Sequence, residues 1–151
     1  MRRLAVAFGV LISTPAVAHW QWTSWGMTPS QVVASAPAKI APYSDPKLDT
    51  NDLKSRLVTT HHAMGFDFSV AMLFDSKTQG LAQIRLLLRD SDGSQCSALE
   101  GELTRVYGPP ETVATMGFRR WRNHEDLISL RPLGGCWLVY EPIPSNQDSG
   151  L

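Results

Sequence analysis

Residues 66–74 read FDFSVAMLF, and the alternation within them decides the fold. Phe66, Phe68, Val70, Met72 and Phe74 fall on every second position, and strand side chains two apart share a face. One side of this segment is therefore apolar along its whole length. After a turn at DSKTQG (75–80), LAQIRLLLR (81–89) returns with Ile84, Leu86 and Leu88 inward and Arg85, Leu87 and Arg89 facing the other way. Before it, SRLVTTHHA (55–63) is β-branched and half polar, and a turn at Met64-Gly65 joins the two. Three antiparallel strands thus occupy 55–89.

On the N-terminal side, APYSDPKLDTND (41–52) carries turn-forming residues and reads as a loop. Ahead of it lies a helix start. Thr28 can cap, Pro29 suits the first helical position, and Gln31 stands where a capping box needs it. Met27 and Val32 form the matching hydrophobic staple, Val32, Val33 and Ala36 make the inward face, and Pro37 stops the helix. Trp25 clamps an entry segment over the core, with Trp20 and Trp22 on one face of an extended stretch.

On the C-terminal side, DSDGSQ (90–95) breaks the chain before the helix CSALEGELTRVYG (96–108). Cys96, Leu99, Leu103 and Val106 form its apolar stripe. Gly108 is placed to end it, followed by Pro109-Pro110. Three further strands follow at VATMGFRRWRN (113–123), DLISLRP (126–132) and CWLVYEP (136–142), with turns at NHED and LGG. The order is helix, three strands, helix, three strands. It predicts an α+β fold: two tandem helix-plus-three-strand antiparallel units with the helices on one side of the sheets. The halves, 25–90 and 91–142, read as diverged copies, since Val33, Pro37 and Ile40 fall on Val106, Pro110 and Val113 at a constant offset.

Residues 1–18 have the parts of a secretory signal. Arg2 and Arg3 precede the apolar run LAVAFGVLIS, and Ala16-Val17-Ala18 is a small-x-small cleavage pattern. Cleavage before His19 would release residues 19–151 as one soluble domain, periplasmic or secreted. Two of the 14 Lys and Arg leave with the signal and no Asp or Glu does, which leaves 12 against 14, a formal −2. That balance excludes a broadly basic nucleic-acid binder, so no nucleic-acid partner is expected. No later segment is long and apolar enough to span a bilayer as a helix. Cys96 and Cys136 are the two cysteines, and an isolated pair in an oxidising compartment forms one structural disulfide.

WGMTPSQVV (25–33), together with LEGELTRVYGPPE (99–111) and LVYEP (138–142), resembles small exported bacterial proteins that combine short helices with antiparallel strands, sometimes in tandem. The β-lactamase inhibitor protein and the SmpA/OmlA outer-membrane-assembly lipoproteins share that plan. The resemblance implies a scaffold for protein binding without catalysis. This chain lacks the lipobox cysteine of the second group and any recognisable inhibitory loop, so neither anchoring nor inhibition carries over.

Two constellations remain as candidate sites. GFRRWRN places Arg119, Arg120 and Arg122 around Trp121, with Arg131 on the next strand. Arg120 and Arg122 share one strand face, and Arg119 shares the other with Trp121. Arginines beside an aromatic can grip an acidic peptide, an anionic glycan or lipid headgroups, or can form a solvated face of paired ions. The alternative is metal: a mature N-terminal His19 can chelate copper through its α-amine and imidazole, with His61 or His124 as further ligands. His61 and His62, adjacent in a strand, point to opposite faces. No G-x-S-x-G elbow, H-E-x-x-H or phosphate-cradling glycine loop is present, so no enzyme and no resident cofactor are expected. The expected function is binding of another exported or envelope protein on the sheet face opposite the helices.

Overall fold

The computed structural model describes residues 20–89, 93–124 and 126–144; the segment read as a signal peptide and His19 lie outside the described residues. The elements run α1 (Pro29–Ser35), β1 (Ala41–Pro42), β2 (Leu53–Ala63), β3 (Phe66–Asp75), β4 (Leu81–Leu88), α2 (Gly93–Tyr107), β5 (Glu111–Val113), β6 (Phe118–Asn123), β7 (Asp126–Arg131) and β8 (Trp137–Pro142).

The chain does not form the expected pair of α+β units. All eight strands form one antiparallel sheet in the order β1-β2-β3-β4-β8-β7-β6-β5. Strands take 43% of the described residues and helices 18%, so the architecture is mainly β. The join is β4 against β8, where Ile84 lies opposite Tyr140 and Leu86 opposite Leu138. Two separate sheets would each leave an unpaired row of backbone donors and acceptors. Joined, the apolar stripes of both runs of strands become one face and one core. Such edge-to-edge pairing is non-local, and no pattern within a single strand announces it. The strand expected over 113–123 is also divided. Gly117, at φ 66°, allows a tight turn in which its N–H donates to the Val113 carbonyl at 3.0 Å, giving β5 and β6 instead.

The core follows the alternation. Phe68, Val70, Met72 and Phe74 of β3 lie beside Ile84, Leu86 and Leu88 of β4, then Leu138, Ile128 and Trp121 across the remaining strands. The helices add little: α1 contributes Val32, and α2 contributes Leu99 and Leu103. The capping box forms as expected, with Thr28 Oγ1 accepting from the Gln31 N–H and Gln31 Oε1 accepting from the Thr28 N–H. Val33 and Val106, expected inward, are instead exposed at 47% and 51%. Val33 follows the buried Val32, and Val106 precedes the half-buried Tyr107. Successive helical residues turn through about 100°, so a narrow contact cannot bury both members of such a pair. Cys96 and Cys136 are joined in a disulfide that ties the first turn of α2 to the residue before β8.

The entry segment is a pair of turns rather than an extended stretch. Trp20 is buried, and its ring meets that of Trp22 at 5.5 Å. Trp25 Nε1 donates to Oδ1 of the buried Asp126 at 2.8 Å. The Gly26 N–H donates to the Leu81 carbonyl and the Leu81 N–H to that of Met27, so this segment pairs with the start of β4. Gly80 makes the approach feasible, because a Cβ there would stand 2.9 Å from Gly26 Cα. Gly80→Ala must push two hydrogen-bonded backbones apart, and it should lower stability by about 1–3 kcal/mol in urea unfolding. An unchanged midpoint would mean that the crossing yields freely.

Candidate functional site

Because both helices pack on one side, the alternate residues of every strand line a second face that neither α1 nor α2 covers. The register sets Glu111, Arg120, Ser129, Val139, Arg85 and Ala71 in one row across six strands. A neighbouring row brings Arg131 beside Trp137 and Leu87. On the half of this face built by β4 and β5 to β8, four arginines (Arg85, Arg120, Arg122, Arg131) stand against two glutamates (Glu111, Glu141).

Most of these charges are tied. Arg131 Nη2 reaches Glu141 Oε2 at 3.3 Å, and its guanidinium lies 5.3 Å over the Phe118 ring, a cation–π contact. Arg85 Nε donates to Gln83, whose amide donates in turn to Glu141. Burial, and then the nearby charge of Arg131, pull the Arg85 pKa down, against the pull of Glu141 and Asp49. Asp49 itself accepts from the Ser55 N–H and hydroxyl, both at 2.8 Å, and those bonds hold its carboxyl below the ordinary range. Arg122 stands 3.9 Å from Glu111.

Arg120 differs. Among the described residues it forms neither an ion pair nor, unlike Arg85, a hydrogen bond to a neighbouring side chain, and its Nε, like Arg131 Nε and Ser129 Oγ, is buried without a partner. Ser129 is 1% exposed, at the centre of the face. An unsatisfied buried hydroxyl among guanidinium groups is costly.

Next to the arginines lies a groove of about 270 Å³ with apolar Leu48, Val58, Ala71, Leu87 and Trp137 in its walls together with Tyr43, Asp45, Lys47 and Ser69. The 43–49 loop forms its outer wall, held down by the Tyr43 N–H on the Arg56 carbonyl and the Asp45 N–H on Ser55 Oγ, both 2.8 Å. A larger hollow of about 500 Å³ beside α1 is shallow, and Arg56 is its only charged wall residue. Ligand sites combine apolar walls with a few placed polar groups; the smaller groove has Tyr43, Asp45, Lys47 and Ser69, the larger only Ser30 and Arg56.

The sequence-predicted residues divide between the two faces. Arg120 and Arg122 lie on the helix-free face. Trp121 lies on the other, 3% exposed, with Nε1 donating to the Gly108 carbonyl at 2.9 Å. Arg119 is beside it and bonds Glu100 of α2 at 2.9 Å. Trp121 and Arg119 are therefore not part of an exposed surface with Arg120 and Arg122. The sequence pattern does not single out Arg85, Ser129 or Trp137 as site residues. Arg85 is outward in its own strand by alternation, but its neighbourhood with β7 and β8 depends on the β4–β8 join.

The histidines do not gather. The His61 ring meets Trp20 at 5.2 Å, and burial followed by the charge of His62 holds its pKa below the ordinary value. His62 Nδ1 is 2.7 Å from Asp67. His124 occupies the β6–β7 turn at φ 50°. From β2 to β7 is four strand steps, roughly 19 Å, so His61 and His124 cannot share a metal ion. Among the described residues no three His, Cys, Asp or Glu side chains form a metal-binding group.

Fold and face together define a class: an antiparallel eight-stranded sheet, helices on one side, and an arginine-bearing, grooved surface on the other. No family model, curated protein or solved structure matches the chain.

Proposed function

We infer that this is an exported binding protein whose helix-free sheet face accepts a segment of another exported or envelope protein. The carrying observation is the apolar groove at Trp137 and Leu87 lying directly beside a cluster of arginines. Aromatic and arginine side chains are what interface hot spots favour. The disulfide and the signal-like residues 1–18 support a periplasmic or secreted location. The sheet gives the face rigidity, so little ordering cost attends binding. The likeness of WGMTPSQVV and LEGELTRVYGPPE to exported binding scaffolds points the same way.

In-cell cross-linking followed by capture and mass spectrometry tests this reading. A specific partner should be enriched with the native protein and depleted about tenfold or more with Trp137→Ser, an anchor lost from the groove. Trp137 is only partly buried, so the variant should remain folded. A partner captured equally by both proteins would put the contact elsewhere.

A further inference from the structure

The partner's chemistry can be read from what the face leaves unsatisfied. This rests on the helix-free face being the binding surface. We propose that it docks a short acidic peptide segment of the partner, one carboxylate at Arg120 and Ser129 and one bulky apolar side chain in the groove at Trp137.

The charge pattern selects the carboxylate. Arg122 has Glu111, Arg131 has Glu141, and Arg85 has Gln83 with Glu141 behind it. Arg120 has no ionic partner among the described residues, and it stands directly opposite Ser129 in the register. Arg131 lies two residues along the same strand from Ser129. Three donors around this point, Arg120 Nε, Arg131 Nε and Ser129 Oγ, are buried without acceptors among the described residues. A carboxylate is the acceptor-only group that such donors lack, and its bonds to guanidinium are the strong, charge-assisted kind.

The same pattern disfavours a polyanion. Glu111 and Glu141 are interleaved with the arginines and already neutralise Arg122 and Arg131, so a sulfated glycan or an anionic bilayer would meet two negative groups within the same cluster. The whole chain has 14 basic against 14 acidic residues and so supplies no long-range attraction for such surfaces. One carboxylate, by contrast, is what Arg120 requires, the one guanidinium of the four with neither an ion pair nor a hydrogen-bonded acceptor among the described residues.

Geometry adds a spacing rule. Ser129 on β7 and Ala71 on the groove floor of β3 are three strand steps apart, about 14 Å at the usual strand separation. An extended peptide advances about 3.4 Å per residue, so the acidic and apolar side chains should stand about four positions apart.

Selection of a random dodecapeptide display library on the purified protein tests this. Enriched peptides should pair Asp or Glu with a bulky apolar residue at about that spacing. A synthetic selected peptide should bind about tenfold or more weakly to Arg120→Gln by fluorescence anisotropy, and its own Glu→Gln version should lose as much. Arg120→Gln removes no ion pair among the described residues, so an unchanged melting temperature will show that the loss is not unfolding. Peptides that need Trp137 but carry no acid would overturn the carboxylate and leave the binding face standing. Peptides indifferent to both Trp137→Ser and Arg120→Gln, or no enriched peptide at all, would sink both. Binding to heparin or to phosphatidylglycerol vesicles that is lost in Arg120→Gln, without peptide selectivity, would replace the peptide with a polyanion.

Discussion

Trp121→Ala should destabilise the fold by about 3–5 kcal/mol, the range for removing a large aromatic from a packed core. Trp121 is 3% exposed and packs in the same cluster as Ile128, Leu103 and Leu99. Its indole also fixes the end of α2, since Nε1 donates to the carbonyl of Gly108, the residue at φ 85° where that helix ends. Truncation therefore opens a cavity and leaves a carbonyl unsatisfied. In thermal unfolding followed by circular dichroism the midpoint should fall by roughly 10–20 °C for a chain of this size. Trp121→Phe separates the two contributions: most of the packing survives, the hydrogen bond does not, and about 1–2 kcal/mol should be lost. A Trp121→Ala protein as stable as the native one would mean that the β6 side chains are turned the other way. Every assignment of the helix-free face would then reverse, because Arg120 and Arg122 lie on that face only if Trp121 does not.

The same dependence limits what the sequence alone can tell. Alternation in FRRWRN is enough to separate Arg120 and Arg122 from Arg119 and Trp121. What alternation cannot supply is the sign, meaning which set faces the core. The indole settles it physically: a large apolar group with one donor goes inside if a carbonyl waits there, and Gly108 provides one. Strands β2, β3, β4, β7 and β8 are legible almost residue by residue because each carries its own apolar period. The architecture is not legible, because the β4–β8 join belongs to no local pattern. Ile84 meets Tyr140 across a sequence separation that no hairpin bridges. The candidate site suffers most from this. Arg85 and Arg131 become neighbours of one groove only through that join, so the run GFRRWRN by itself yields at most two of the four arginines on the face. The disulfide is legible for a different reason, since two cysteines allow only one pairing.

Removing that disulfide is the other large expected effect. Cys96 and Cys136 are 40 residues apart, and a cross-link closing a loop of that size restricts the unfolded chain by about 4 kcal/mol in the chain-entropy account. The native state has reason to lose as much. Among the described residues of α2, only Leu99 and Leu103 are fully buried, with Tyr107 partly so, and the Arg119–Glu100 pair that helps hold the helix to β6 is more than a third exposed. Exposed ion pairs contribute at most about 1 kcal/mol, so the covalent tie dominates the anchoring of the first turn. The double variant Cys96→Ser/Cys136→Ser avoids a stray thiol and should unfold at a urea concentration lower by the equivalent of about 2–5 kcal/mol. Hydrogen exchange should place the early loss in α2, whose amides become labile while those of β3 and β4 keep their protection. Uniform loss of protection over helix and sheet would instead mean that α2 and the sheet open together. A stability change below about 1 kcal/mol would show that Leu99, Leu103 and the Trp121–Gly108 bond hold the helix without it, leaving the bridge as a consequence of the compartment and not a support of the fold.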